Sequence, residues 1–235
     1  MSEPALALSF FDTERELYGT ARAGATILFE GRTPRPLADG AAITRAGEGW
    51  RAELAGELAL DVEALTESTE LGGVRACVCR VQGEAAGRSV DCLGTLAETA
   101  AAPRWEELDA VRTISAIVDE EHALLAVARR PRGALGHGQE RVSARLLEEG
   151  RFLEVEDARI STVYDGDGRQ RSAGLELWLP GEEYPRRGSG LVVAGSSLQL
   201  EEIEVHAAIF RWRLDGREGI GAYELMARTP EPVAA

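Results

Sequence analysis

One stretch of the sequence places acidic, imidazole and aromatic side chains two residues apart, the pattern in this chain most able to do chemistry. If residues 197–214 form one strand, alternate side chains point to one face. That face carries Glu202, Glu204, His206, Phe210 and Trp212. Burial in an apolar lumen raises the pKa of a carboxyl group and lowers that of an imidazole, which suits both to proton transfer near neutral pH. We therefore predict the three ionisable residues as catalytic and the two aromatic residues as ligand-binding.

The same stretch has a second interpretation, in which its first half lies at a solvated rim and its second half packs in a core. Five further side chains are predicted to contact a ligand. They are Trp178, Tyr223 and Glu224, on strands that could line a lumen, and His137 and Arg141, near a barrel mouth. Their structural alternatives are a core or rim position, an exposed loop histidine, and an ion-pair network of Arg141 with Glu140 and Arg145.

The elements that must position these residues are strands. Apolar and polar residues alternate along most of the chain between glycine-containing turns, which predicts an all-β fold. Residues 165–168, Asp-Gly-Asp-Gly, are predicted to form a hairpin turn. The alternation predicts single strands over 17–29, 152–164 and 197–213, and short helices are predicted over 61–68 and 105–111.

The chain also repeats itself. Asp12 aligns with Asp119 and Arg22 with Arg129, at an offset of 107 residues, and residues 74–80 align with residues 205–211 at an offset of 131. A repeat of this kind indicates two copies of one structural unit. We predict two tandem antiparallel β-barrel units, residues 1–104 and 105–235, of which the second is expanded in its middle. Chance similarity between amphipathic strands is the alternative.

Charge and composition exclude several functions. The 235 residues include 26 basic and 40 acidic residues, a net charge of −14, and every basic residue is arginine. A protein this acidic repels a phosphate backbone unless its cations cluster, so we expect no nucleic-acid partner. No stretch approaches the ~20 apolar residues of a membrane helix, and the first residues lack the positive charge of a secretory signal. We expect a cytoplasmic protein, with a homodimer left open.

No metal or cofactor is expected. Cys77, Cys79 and Cys92 lack a fourth ligand and the spacing of a zinc site, so they are interpreted as reduced thiols in a core. Gly219 and Gly221 do not open a helix, so they do not form a dinucleotide-binding loop. Without lysine, no Schiff base can form.

Two segments carry a resemblance. Residues 136–145 contain Gly, Gln, Arg and Ser in sequence, and residues 210–224 contain an aromatic pair followed by Asp-Gly-Arg, Gly-Ile-Gly and Glu. They resemble the opening of the second half and the closing hairpin of the double-calycin (tandem lipocalin-like) family, which includes carotenoid 1,2-hydratases, AttH-like proteins and Diels-Alderase-like cyclases. The resemblance implies two calycin-like barrels, an apolar ligand, and hydration, isomerisation or cyclisation by acid–base chemistry.

The functional prediction follows from the apolar face and the resemblance together. We predict that the protein binds a small apolar molecule, isoprenoid-like or polyketide-like, in a cofactor-free β-barrel cavity. The alternatives are a non-catalytic carrier or sensor and a structural domain with a filled core. An enzyme would bury an ionisable group beside an open cavity, a carrier would have the cavity alone, and a filled barrel would have neither.

Overall fold

The computed structural model describes residues 4–229 and consists of β-strands with one short 3-10 turn at His137–Gln139. The strands of this described part form two curled antiparallel sheets, one of ten strands and one of nine. The structure therefore confirms the all-β class and the two tandem antiparallel barrel-like units.

The first sheet is built from the N-terminal half of the chain. Its strands are β1 (Ala5–Asp12), β2 (Leu17–Arg22), β3 (Ala25–Glu30), β4 (Thr33–Leu37), β5 (Ala42–Ala46), β6 (Gly49–Leu54), β7 (Leu58–Ala64), β8 (Thr69–Glu70), β9 (Val74–Ala85) and β10 (Arg88–Thr99). Their spatial order is β4-β3-β2-β1-β10-β9-β7-β6-β5, and β8 pairs with β9. β10 pairs with β1 in the middle of this order, and the curled sheet surrounds an apolar core.

The second sheet is built from the C-terminal half. Its strands are β11 (Leu108–Ile117), β12 (Ala123–Pro131), β13 (Arg141–Glu148), β14 (Arg151–Glu154), β15 (Asp157–Tyr164), β16 (Gln170–Trp178), β17 (Arg186–Leu200), β18 (Ile203–Leu214) and β19 (Arg217–Arg228). Their spatial order is β14-β13-β12-β11-β19-β18-β17-β16-β15. Its end strands β14 and β15 are not paired with each other among residues 4–229, so this unit is a curled half-barrel.

The two sheets follow the same path. β9 lies between β10 and β7, and β18 lies between β19 and β17, so the strands aligned by the offset of 131 residues occupy the same place. The opening hairpins β1–β2 and β11–β12, aligned by the offset of 107 residues, also correspond. The repeat in the sequence is therefore a repeat of topology. The domain limits 1–104 and 105–235 stay a prediction.

Each sheet has a glycine at the equivalent place, where its first strand pairs with its last long strand. Gly94 on β10 lies against the carbonyl oxygen of Ser9 on β1, and Gly221 on β19 lies against the carbonyl oxygen of Ser115 on β11. A Cβ atom at either glycine would approach that oxygen to less than 3.0 Å. The close approach of the first and last strands therefore requires glycine in each unit.

Each sheet buries an apolar cluster in its concave interior, and further clusters lie between the sheets. The first interior includes Leu8, Phe10, Leu28, Leu60, Val62, Cys77, Cys79, Val81 and Leu96. The second interior includes Ile114, Ala126, Leu146, Ile160, Leu175, Phe210, Trp212 and Tyr223. Between the sheets lie Phe11, Tyr18, Phe29, Val78, Ile117, Leu147 and Ile209. The three cysteines are free, and Cys77 and Cys79 are buried in the first interior.

Several expected elements are corrected by the structure. The single strand expected over 197–213 is the end of β17 and the whole of β18, joined by a tight turn in which Glu201 adopts a positive φ of 52°. The expected strands over 17–29 and 152–164 are likewise each divided in two. Leu198 pairs with Val205 and Leu200 with Ile203, so the inward and outward faces exchange parity at this reversal. Treating the stretch as one continuous alternation therefore misassigns the faces on one side of the turn.

The two expected helices are wrong. Residues 61–64 continue β7, and residues 105–107 form a turn that leads into β11. The hairpin turn expected at 165–168 is present between β15 and β16, where Asp165 accepts backbone hydrogen bonds from Asp167 and Arg169. Within residues 4–229 there is no helix of the length and apolarity needed to cross a membrane.

Candidate functional site

An aromatic cluster lies at the centre of the second interior. Phe210 and Trp212 are two residues apart on β18 and their ring centroids are 5.2 Å apart, while Tyr223 on β19 lies 5.5 Å from Phe210. All three side chains are buried. The structure thus brings together three of the predicted ligand-binding residues, because β18 and β19 are adjacent and their inward faces coincide.

A buried ion cluster adjoins these rings, and we call it the Arg112 cluster: Arg112, Arg130 and Glu140. Arg112 on β11 donates to one carboxylate oxygen of Glu140, and Arg130 on β12 donates to the other from Nε and a terminal nitrogen at 3.0 and 2.8 Å. The side chains of Arg112 and Glu140 are each 1% exposed. Both guanidinium groups thus bind the same carboxylate.

Tyr223 joins the aromatic rings to the Arg112 cluster. Its hydroxyl oxygen accepts a hydrogen bond from Arg112 at 3.0 Å and lies 2.6 Å from the hydroxyl of Thr162 on β15. Burial raises the pKa of Tyr223 to about 12, although the charge of Arg112 acts in the opposite direction. The phenol is therefore protonated near neutral pH and can donate a hydrogen bond.

Two buried donors in this interior lack partners. Among residues 4–229, Nε of Arg112 and Nε1 of Trp212 are buried without a hydrogen-bond acceptor. An unsatisfied buried donor costs about 1–3 kcal/mol, and native structures contain few of them. These two atoms are therefore places where an acceptor from outside the chain would be stabilised.

A cleft of about 960 Å³ opens beside the Arg112 cluster. Its apolar wall consists of Val142, Ala158, Ile160 and Leu175. Its charged residues are Arg112, Arg159, Arg187, Arg213, Glu140, Asp157 and Glu176. A volume of this size suits a small organic ligand. With four arginines and three acids, the lining is cationic in a protein whose net charge is −14.

A second cleft of about 690 Å³ also borders the Arg112 cluster. Its lining includes Asp109, Arg130, Arg132, Tyr164, Leu225 and Arg228. Arg112 and Glu140 line the first cleft and Arg130 lines the second. The ion cluster therefore contributes side chains to two openings of the same unit.

The three predicted catalytic residues lie at one end of β18 and outside the larger cleft. His206 is buried, with Nδ1 2.7 Å from the Ser197 hydroxyl and Nε2 3.5 Å from a carboxylate oxygen of Glu204. Glu204 is 43% exposed. Glu202 is 84% exposed and lies in the turn before β18, 3.7 Å from Arg228. Glu202 therefore does not share a face with His206 as expected, because the chain reverses there.

Glu224 lies between the two sheets. It forms an ion pair with Arg22 on β2, and Arg22 also lies 3.1 Å from the sulfur of Met226. These residues border a cavity of about 50 Å³. This volume is well below the ~300 Å³ at which ligand sites begin, so the cavity is too small for the predicted ligand.

The remaining predicted residues are Trp178, Arg141 and His137. Trp178 is half-buried, with the guanidinium of Arg159 4.9 Å from its ring centroid. Arg141 is exposed at the start of β13. The backbone of His137 begins the 3-10 turn, and its side chain lies outside the described part of the structure. Trp178 is thus close to a cleft residue, and Arg141 faces solvent.

Sequence reasoning missed Arg112, Arg130 and Thr162. One interpretation placed Glu140 in a network with Arg141 and Arg145, whereas in the structure it binds Arg112 and Arg130, 28 and 10 residues away. The spacing along β11 could have revealed Arg112. It lies two and four residues before Ile114 and Ala116, which are buried in the same interior, so the three side chains share one face of the strand. A lone arginine on an apolar face of a strand marks a buried cation that needs an acid.

Comparison with known proteins supports the fold alone. No protein-family model and no curated protein matches the chain. A crystal structure from Nitrosomonas europaea described as AttH is 13% identical with a TM-score of 0.57, and the match covers 96% of this chain and 92% of that one. The crystal structure of CghA is 10% identical with a TM-score of 0.60, and the match covers 97% and 89%. The fold is a lipocalin-like double calycin.

The double-calycin resemblance is thus confirmed at the level of fold. Identities of 10% and 13% show no shared activity or ligand. The metal-binding residue types do not converge either: among residues 4–229, no three His, Cys, Asp or Glu side chains are grouped as metal ligands would be. The site of this double calycin must therefore be argued from its own geometry.

Proposed function

We propose that this double calycin binds a small, largely apolar molecule, isoprenoid-like or polyketide-like, in the cleft of the second unit. The observation that carries the proposal is a cleft of about 960 Å³ with an apolar wall that ends on buried ionisable groups, Arg112 and Glu140. Ligand sites commonly combine an apolar lining with a few fixed polar groups. In the first unit, by contrast, the inward aliphatic side chains and thiols pack against each other.

The proposal can be tested by equilibrium dialysis with farnesol, a prenyl alcohol of the predicted size class. Val142 lies in the apolar wall and is half-buried, so Val142→Phe should fill part of the cleft. We expect farnesol to bind the wild type and the affinity of Val142→Phe to fall about tenfold, in line with the effect of overpacking. Ile43→Phe makes the same kind of change beside the first interior and should leave the affinity unchanged.

Two results would overturn this assignment. The first is that farnesol and a cyclic polyketide of similar size both fail to bind the wild type. The second is that Ile43→Phe weakens binding as much as Val142→Phe, which would place the ligand elsewhere.

Acid–base turnover is a second proposal, favoured by the environment of His206. Its two ring nitrogens lie near a hydroxyl and a carboxylate, at 2.7 Å from Ser197 and 3.5 Å from Glu204. Such an imidazole can pass a proton between a substrate and solvent. Catalysis would use His206 with Glu204, since Glu202 lies in the exposed turn, and the aromatic rings would stabilise positive charge. Cytoplasmic location and a homodimer stay predictions.

Mass spectrometry of farnesol incubated with the protein tests this second proposal. We expect a water adduct with the wild type and its loss in His206→Gln, while dialysis shows unchanged binding. Ser172→Ala, a change on β16 at a residue that does not line either cleft, is the control for general disturbance of the unit. Absence of the adduct from the wild type would remove the catalytic proposal and leave the carrier.

A further inference from the structure

Ser197 and His206 form a hydroxyl–imidazole pair across β17 and β18. They lie directly opposite each other, with the hydroxyl oxygen of Ser197 2.7 Å from Nδ1 of His206. Nε of Arg169 also donates to that oxygen, at 3.2 Å. Arginine can only donate, so of these two partners only Nδ1 can accept the hydroxyl proton. The imidazole is therefore placed to act as a general base toward Ser197.

The other side of the imidazole faces a carboxylate. Nε2 of His206 is 3.5 Å from an oxygen of Glu204, which lies two residues earlier on β18. A hydroxyl, an imidazole and a carboxylate in this order are the arrangement that makes a serine nucleophilic, and geometry defines it, not the position in the sequence. His206 is buried, whereas Ser197 is half-buried. The base is thus shielded from water while the serine keeps some exposure.

The second cleft, of about 690 Å³, adjoins this group. On β19, Leu225 lies directly opposite His206 and Ala227 lies directly opposite Glu204, and both residues line the cleft. Directly opposite residues of antiparallel strands point to the same face, with Cβ atoms about 4.5–5.5 Å apart. A molecule bound in the second cleft would therefore lie beside the imidazole of His206.

We propose that Ser197 is the nucleophile of an acyl-transfer reaction, in which the second cleft holds a carboxylic ester. As the hydroxyl oxygen adds to the ester carbonyl, its proton passes to Nδ1 of His206. The bond from the carbonyl carbon to the alcohol oxygen then breaks, and the imidazolium returns the proton to the leaving alkoxide, so that an acyl group stays on Ser197. Water adds to this acyl group with the help of the same base, which releases the carboxylic acid and restores the serine.

The guanidinium of Arg169 lies beside the attacking oxygen. Its N–H donors suit the negative charge that develops on the carbonyl oxygen when the ester is attacked. This activity goes beyond the binding and hydration proposed above. Because farnesol has no acyl group, failure of the ester tests would leave the proposed binding function intact.

Covalent labelling tests the nucleophile without any variant. A fluorophosphonate phosphonylates a serine that a neighbouring base activates, with loss of fluoride, and peptide mass spectrometry locates the adduct. We expect the adduct on Ser197, formed faster than on any other serine of the folded protein. Absence of an adduct, or equal labelling of other serines, would overturn the proposal.

Hydrolysis of p-nitrophenyl butyrate gives a second readout. Ser197→Ala and His206→Gln should each lower kcat at least about 100-fold, the range for loss of a nucleophile or its general base. Ser196→Ala is the matched control and should keep the wild-type rate. Ser196 is the preceding residue on β17, pairs with Ala207 and points to the opposite face. A wild-type rate no greater than that of buffer, or a Ser197→Ala variant as fast as the wild type, would overturn the proposal.

Two further variants separate the base from the binding of the ester. Glu204→Gln should lower kcat about threefold and leave KM unchanged, because a partly exposed carboxylate acts through the imidazole and contributes only as much as a surface ion pair. Ala227→Leu should raise KM about tenfold, since the larger side chain occupies part of the second cleft. An unchanged KM in Ala227→Leu would show that the ester binds elsewhere and overturn its placement in this cleft.

Discussion

The two units share one strand path and fill it differently. Cys79 on β9 faces Gly94 on β10, and Phe210 on β18 faces Gly221 on β19, so the two pairs of strands are in the same register. In that register Cys79, Val81 and Leu96 of the first unit correspond to Phe210, Trp212 and Tyr223 of the second. At these three corresponding positions the first interior has a thiol and two aliphatic side chains, whereas the second has three aromatic rings.

The units also differ in where their charges lie. Ion pairs of the first sheet such as Arg51–Asp61 and Arg80–Asp91 are solvent-exposed, whereas Arg112 and Glu140 of the second are buried in the interior. Exposed pairs contribute little to stability, while a buried cluster is sensitive to the loss of one member. This difference is the reason for placing the proposed ligand site in the second unit and not in the first.

The largest expected effect concerns the aromatic filling. Trp212→Ala should lower the free energy of unfolding by about 4 kcal/mol, because it opens a cavity among fully buried rings. Val81→Ala, at the corresponding position of the first unit, should lower it by about 2 kcal/mol since fewer methyl groups are lost. Urea unfolding followed by circular dichroism measures both. A loss at Val81 equal to that at Trp212 would remove the contrast between the interiors.

The buried charges give the next effect. Glu140→Gln should cost about 3 kcal/mol because two guanidinium groups lose their counterion. The double variant Arg112→Met with Glu140→Gln should recover part of this loss, since one unpaired cation is gone. The same unfolding measurement applies. Asp91→Asn, which breaks an exposed pair of the first unit, should leave the midpoint unchanged, and a comparable loss there would contradict the distinction between inner and outer pairs.

The smallest of these effects is a pH dependence from Tyr223. Its pKa of about 12 in the folded protein exceeds the ordinary value of 10, so its contribution to stability is complete below pH 10. It should be lost as the pH rises from 10 to 12, by about 2 kcal/mol in all, since the unfolded chain ionises first. The difference in unfolding free energy between the wild type and Tyr223→Phe should therefore shrink over that interval.

Tyr184 provides the control for this measurement, because it is exposed. Tyr184→Phe should follow the pH profile of the wild type. Absorbance at 295 nm gives a second readout, in which Tyr223 should ionise after the exposed tyrosines. Parallel stability profiles for the wild type and Tyr223→Phe would show that the phenol is not buried as described.

Part of this architecture could be predicted before the fold was known. Alternation predicted the strands, and the two offsets predicted a repeat whose strands do occupy equivalent places. Parity placed Phe210 and Trp212 on one face, and both are buried in the second interior. The predictions failed at reversals such as Glu201, where a positive φ closes a hairpin and the alternation changes phase.

The Arg112 cluster could not be predicted in the same way. Arg112 contacts Tyr223 across 111 residues and Thr162 across 50. Alternation gives the face of each residue, but it does not say which strands are neighbours or where the curl of the sheet brings two faces together. The expected partner of Glu140 was therefore sought among residues close to it in sequence.

The sequence by itself determined an all-β chain built twice, acidic overall, with its cations supplied only by arginine. Those properties follow from local alternation and composition, which need no partner strand. The tertiary structure decided that the second interior, and not the end of β18, joins buried charge to an open cleft. That outcome depends on the order of the strands and on the curl of the sheet. Together they bring side chains of β11, β12 and β15 close to the carboxylate of Glu140 at the start of β13.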